Sequence, residues 1–381
     1  MEMTKRVNHL PVLTWNKLKL NDAELLINTE FGKVNTFADA ALPAGVTAEK
    51  NVSFDELVRH FDALAVSSPK EKIVAGKLPI YNEQRFATGM GKEIDDLIVE
   101  ADCKTDIYTV DGTHTDPIVL RYDYKNGASG LSSTLIHAKA GSESTWVMYY
   151  TSEGKQTDNG LVGASTRVFL EEGAKVHLVK VQMLSEGYTF FDDIGVISGK
   201  ASELSLAKLS LGAKRAYEGF NDYQIGDKSR LTVDYGTICR DGSFTDINYN
   251  DIFIGKKAEG VMRFFEPLYG NAEKTFRGTL DFRQNSKASV GDEQEDVLLF
   301  GEDVINKTIP LILCEEEDVE GRHAATIGRL SDEMLFYMQT RGLSEHEAKK
   351  LMVRANLNKV ARLVPDEGIR HKIDEYLKDV I

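Results

Sequence analysis

The chain has 381 residues, with 60 acidic against 46 basic side chains and a formal net charge of −14. That balance repels nucleic-acid backbones and anionic membrane surfaces, so neither is expected as the main partner. No stretch approaches the ~18 consecutive apolar residues of a membrane span, and Met1–Arg6 lacks the apolar core of a secretory signal.

In chain order, the first clear element begins at Ser53-Phe54-Asp55-Glu56, a capping box with the serine as N-cap. Phe54, Leu57, Val58, Phe61 and Leu64 follow at helical spacing up to Pro69. Residues 92–100 predict another helical turn or two, and the rest of the first hundred residues reads as irregular. The middle differs in its punctuation. Only Pro267 falls between residues 118 and 309, although 21 of the 31 glycines do. Interior strands exclude proline, and glycines about nine residues apart suit short strands joined by tight turns. Alternation supports this in Ile118–Tyr124, Thr145–Tyr150, Leu231–Tyr235 and Phe276–Arg283. A sandwich, a barrel or a β-helix would satisfy the pattern. Echoes between Gly173–Leu178 and Glu203–Gly212 favour stacked coils without a strict repeat.

The C-terminal part is helical. Ser331 caps one helix with Asp332 and Glu333 in its first turn, and Gly342 stops it. Ser344 and Glu347 form a second capping box, with Leu351, Met352, Ala355 and Val360 as the apolar side. Pro365 opens a third helix with Ile369, Ile373, Tyr376, Leu377 and Val380 on one face. The resulting plan is a mixed helical part over 1–100, a β core over 101–325 and a helical domain over 326–381.

Chemistry-bearing motifs are mostly absent. Gly195–Ala201 is one residue short of a phosphate loop and lacks its hydroxyl, and Gly89-Met90-Gly91-Lys92 reads as a turn. No H-E-x-x-H or G-x-S-x-G occurs. Asp192-Asp193 and Asp246 with Asp251 are paired carboxylates that solvated turns explain. The three cysteines, Cys103, Cys239 and Cys314, are dispersed and odd in number, which argues for a reducing cytoplasm and against a resident four-thiolate cluster. Cys314 follows the apolar run Leu311–Leu313 and is expected to be buried. His323, after the acidic run 315–318, is a candidate metal ligand or a structural hydrogen-bonding group.

The run from Arg322 to Leu351 carries a further pattern: His323-Ala324-Ala325-Thr326-Ile327-Gly328, Leu335-Phe336-Tyr337, Arg341-Gly342-Leu343 and Glu347-Ala348. It resembles the C-terminal signature of the SufB/SufD family of iron–sulfur cluster assembly proteins, with weaker likeness at Phe276-Arg277-Gly278, Thr308-x-Pro310, and Pro11 with Trp15. The resemblance implies a mainly β fold: a right-handed parallel β-helix core between an N-terminal mixed part and a C-terminal helical domain. It implies a non-catalytic scaffold that pairs with a SufB-like subunit or as a homodimer. A SufC-like ATPase would bind the C-terminal domain, with Leu335, Phe336, Tyr337, Arg341 and Gly342 as candidate contacts. A cysteine desulfurase system would act indirectly, and a transient iron–sulfur cluster would form at the shared interface, with His323 and Cys314 as candidate cluster residues. Where SufB has its cluster-forming cysteine and a glutamate after the histidine, this chain has Val304 and Ala324. Gly321 replaces a SufD cysteine, and the nearer likeness is to SufD. Two alternatives are a homodimeric scaffold using Cys314, Glu317 and Asp318, and a β-helix enzyme acting on polysaccharide.

Overall fold

A computed structural model describes residues 3–14, 16–32, 36–38, 41–57, 59, 87–125, 127–153 and 159–380. Strands β5 to β20 run from Thr105–Val110 to Val319–Gly328 and alternate between two nine-stranded sheets, one ending in β18 (Ser289–Phe300) and β20, the other in β17 (Glu273–Phe282) and β19 (Ile305–Cys314). From β7 onward each strand pairs in parallel with the strand two before it, so every coil contributes one rung to each sheet. This is a parallel β-helix, as the resemblance implied. The register explains why no strict repeat was visible. Glu143, Lys175, Glu203, Arg230, Glu259 and Val290 stack in line, at successive separations of 32, 28, 27, 29 and 31 residues. Corners of unequal length absorb the differences while the ladders stay in step.

The two ends of the stack are unlike. At the first, the short β3 (Thr36–Ala38) and β4 (Val46–Val52) pair antiparallel with β6 (Ile118–Lys125) and β5 and close the ladders. At the last, β19 and β20 have no further strand beside them among the described residues. The expectation of irregular structure in the first hundred residues is therefore corrected. Besides β3 and β4, β1 (Met3–Val7) and β2 (Ala23–Ile27) form an antiparallel pair. Their partners lie far along the chain or are very short, so no local periodicity announces them.

The outer faces are covered too. Residues of β1, β2 and helix α1 (Lys92–Glu100) pack on the odd-numbered sheet through Val7, Leu25, Ile94, Leu97 and Ile98. Ser53 and Glu56 make the expected capping box, and Phe54 and Leu57 are buried. Val58, Phe61, Leu64 and Pro69 lie outside the described residues. On the even-numbered sheet, α3 (Glu345–Ala361) and α4 (Glu367–Val380) pack through Val353, Leu357, Val360, Ile369, Ile373 and Leu377. The buried stripe of α3 is thus Val353, Leu357 and Val360, one step round from the predicted side, and Leu351 and Ala355 are exposed. Ser344 and Glu347 form the predicted box. Asp366 caps α4 by accepting from the Ile369 amide at 2.7 Å, with Pro365 just outside it.

Covering both faces changes the meaning of the alternation in the strands. Arg277 and Asp281, on the polar side of the alternation, are buried like Phe276 and Leu280 on the other. Arg277 donates to the carbonyls of Leu20 and Asp22 and to Asp246, which also accepts from Asn8, so it ties the N-terminal segment to β17.

Candidate functional site

Because parallel neighbours keep their side chains in register, each inward column of the solenoid can be followed to the open end. Trp146, Leu178, Leu206, Val233 and Met262 form one column that continues to Glu293 and then His323. Phe253 and Phe282, stacked at 4.5 Å, form another that ends on Cys314. The open coil accordingly presents Thr308, Pro310, Ile312 and Cys314 from β19, and Gly321, His323, Ala325 and Ile327 from β20. An added Cβ at Gly321 would meet the Phe282 ring at 2.9 Å, which confirms that this face looks inward.

His323 and Cys314 thus share the open face but stand on different sheets. Both are exposed. The expected burial of Cys314 is corrected, because the apolar run before it lies on an edge strand; its Sγ donates to the Glu316 carbonyl at 2.9 Å. Among the described residues no three His, Cys, Asp or Glu side chains are gathered closely enough to hold a metal ion. Arg322 pairs with Glu320 at 3.3 Å rather than with the acidic run, whose Glu315 lies 3.5 Å from Arg283. Ala324 faces outward on β20, and Val304 packs beside Val297 and Leu268 before β19 begins.

The second exposed feature is helix α2 (Asp332–Thr340), which buries none of its residues. Ser331 caps it by accepting from the Met334 amide at 3.2 Å. Phe336 is 68% exposed and Tyr337 58%, while Leu335 is half-buried. Arg341 lies over the Tyr337 ring at 5.2 Å. Gly342 takes φ +90°, which lets the Leu343 amide bond back to the Met338 carbonyl and ends the helix.

Sequence reasoning missed a row of charges inside the solenoid. Lys180 donates to Thr166 at 2.8 Å and to Asp192 at 2.5 Å, and Lys208 pairs with Asp192 and Glu218. Nearer the open end Lys274 pairs with Glu266 and Glu295, and Glu295 accepts from Thr308 of β19 at 3.1 Å. All these lysines and carboxylates are fully buried. Burial pushes the Asp192 carboxyl up, but Lys180 and Lys208 outweigh it and hold it low. Burial lifts Glu266 to about 8 against the pull of Lys274. The signal was a lysine between apolar neighbours, as in Val179-Lys180-Val181 and Ala207-Lys208-Leu209. With both faces buried, it passed for a solvated position.

The carboxylate pairs are corrected in the same way. Asp192, Asp193, Asp246 and Asp251 are buried rather than in solvated turns, and each pair divides between opposite faces of its sheet. None lines an outer groove of the kind a polysaccharide-active β-helix needs. No helix among the described residues is long and apolar enough to cross a membrane.

The sequence family described as "SUF system FeS cluster assembly, SufBD core domain" matches residues 122–356. The chain is 25% identical over 264 residues to the iron–sulfur cluster assembly protein SufD of Bacillus subtilis, covering 68% of this chain and 59% of that protein. It is 23% identical over 310 residues to a SufBD family protein of Mycobacterium leprae, covering 80% of this chain and 35% of the relative. With SufD of Escherichia coli it shares 28% identity over 98 residues, covering 26% of this chain and 23% of the relative. The matches therefore span less than two thirds of these relatives' own lengths.

Proposed function

The chain belongs to the SufB/SufD family of iron–sulfur cluster assembly proteins, and from that premise we propose that it is a non-catalytic, SufD-like scaffold subunit that completes its assembly site by pairing through the open end of its solenoid. The observation that carries this reading is the asymmetry of the stack: short antiparallel β3 and β4 end it on one side, while on the other the ten-residue β19 and β20 have no strand beside them among the described residues. An uncovered edge of ten-residue strands is a template for a second chain. His323, in register with buried Glu293 on that edge, would be this chain's contribution to a site shared with a SufB-like partner. The iron–sulfur cluster is then cargo, formed with sulfur supplied indirectly by a cysteine desulfurase. Few ligands from each side suit a scaffold that must release it.

Helix α2 is the proposed docking face for a SufC-like ATPase. A helix that buries nothing yet exposes Phe336, Tyr337 and Met334, with Leu351 of α3 exposed as well, is best explained by a protein partner. ATP-driven dimerisation of two such ATPases would pull on the helical domains and rearrange the paired solenoids.

Co-purification tests both surfaces on the full chain. The wild type should retain the ATPase, and the F336A/Y337A double variant should lose it with less than about 0.5 kcal/mol change in unfolding free energy, because neither side chain is buried. Failure of the wild type to bind the ATPase would remove the proposal for α2. H323A should lower cluster formation in the reconstituted complex, and unchanged formation would remove the role given to His323.

A further inference from the structure

The corners that follow β10 (Lys175–Met183) and β14 (Arg230–Thr237) meet the last turn of α4 around a cavity of about 480 Å³, which is within the range of small-molecule sites. None of its lining residues belongs to β19, β20 or α2. One side of the lining is apolar. Met183, Leu184 and the Tyr376 ring supply it, and the ring is fixed in place because its hydroxyl donates to the Leu211 carbonyl. The other side is polar and unevenly charged. Arg240 donates to Glu186 at 2.7 Å and lies 5.9 Å from the centre of the Tyr376 ring, so its charge is already answered. Asp379 has no cation beside it among the described residues, since the neighbouring Lys378 turns to Asp374 at 2.5 Å.

Two carboxylates thus stand against one engaged guanidinium. The last-turn carbonyls of α4 add the negative end of a helix dipole, because they have no partner within the helix. Ser152 accepts from the Ser185 amide at 2.8 Å and keeps a lone pair for a further donor. An anion entering here would meet Glu186 and Asp379 together. We infer that the cavity binds a primary ammonium group on an alkyl stem, with the head held by Glu186, Asp379 and the end of α4, and the stem lying along Met183, Leu184 and Tyr376. The apolar side separates this ligand from a bare metal cation, to which it offers no oxygen. A free polyamine and a lysine side chain of another protein share this chemistry. Bound there, either would fasten α4 to the corners after β10 and β14.

Calorimetric titration of the full chain tests this, with cadaverine as the free amine and N-acetyl-lysine methylamide as the protein side chain. It is run at ~150 mM salt, where long-range attraction to the net charge of −14 is screened. Expected is saturable one-to-one binding of at least one of the two. Binding of cadaverine alone assigns the site to free amines, and binding of the lysine amide assigns it to a protein lysine. E186Q and D379N should each weaken that binding by up to about fivefold, as loss of an exposed charge contact does. Neither should lower the thermal midpoint, because both side chains are exposed. S185W, which fills the cavity without changing the charge, should abolish binding; if it fails to fold, the two charge variants decide. Absence of saturable binding by either amine, full-strength binding by folded S185W or by both charge variants, or preferential binding of malonate or of uncharged pentanol would each overturn the inference.

Discussion

Lys274 is fully buried between Glu266 and Glu295, and its removal leaves two carboxylates facing each other in a dry interior. K274M should therefore cost about 3–5 kcal/mol in urea unfolding, the usual range for breaking a buried ion pair on one side. Asp222 and Asp251 make a different case. They stand in register on adjacent strands without a lysine, and burial raises Asp222 to about 7 and Asp251 well above the ordinary carboxylate range. Both folded-state values exceed the unfolded ones. Their stabilising contribution is thus complete below about pH 4 and is lost as pH rises through about 7. The wild type should lose stability between pH 4.5 and pH 8, and the D222N/D251N double variant should lose less, as read by urea unfolding at the two pH values. These residues show where legibility ended at this scale. His323 was visible through its signature, but the charges behind it lie in strands buried on both faces, where polar alternation no longer separates inside from outside.

At the scale of elements, the helices were more legible than the strands that cap the stack, because caps and apolar spacing are local. Ser344 and Glu347 satisfy each other's backbone donors as the sequence pattern predicted, and S344A should cost ~1 kcal/mol in unfolding free energy. The hidden joint is the crossing of residues 87–91 over the odd-numbered sheet. Gly89 lies so close to Phe220 that an added Cβ would fall 1.8 Å from its backbone nitrogen, and a Cβ on Gly219 opposite it would lie 2.4 Å from Met90. The Asn221 amide holds the segment by donating to the carbonyls of Ala87 and Thr88, both at 3.1 Å. G89A should detach this crossing, which limited proteolysis near α1 would detect before any loss of the solenoid's β signal in circular dichroism. No sequence period reveals such a contact, because Gly89 meets β13 (Arg215–Gln224) from more than a hundred residues away. Sequence reading made it a turn.

The whole molecule is a stack in which each coil touches chiefly its neighbours, so protection should follow position. Hydrogen exchange of the isolated chain should be slowest in the central strands and fastest in β19 and β20, and those two should slow on complex formation; equal protection in both states would argue against closure of that end. The β-rich middle and its stacked coils could be read from proline exclusion and turn spacing, but the difference between the two ends could not. It depends on three-residue β3 and on β4, whose antiparallel pairings are fixed only by the finished fold. That difference bears on stoichiometry. A second solenoid joined at the open end would meet the ten-residue strands β19 and β20, whereas the far end of this chain offers a three-residue strand and an irregular one, both poor templates. This chain would then accept one ladder partner rather than two, and a motif capable of endless fibres would stop at a finite particle.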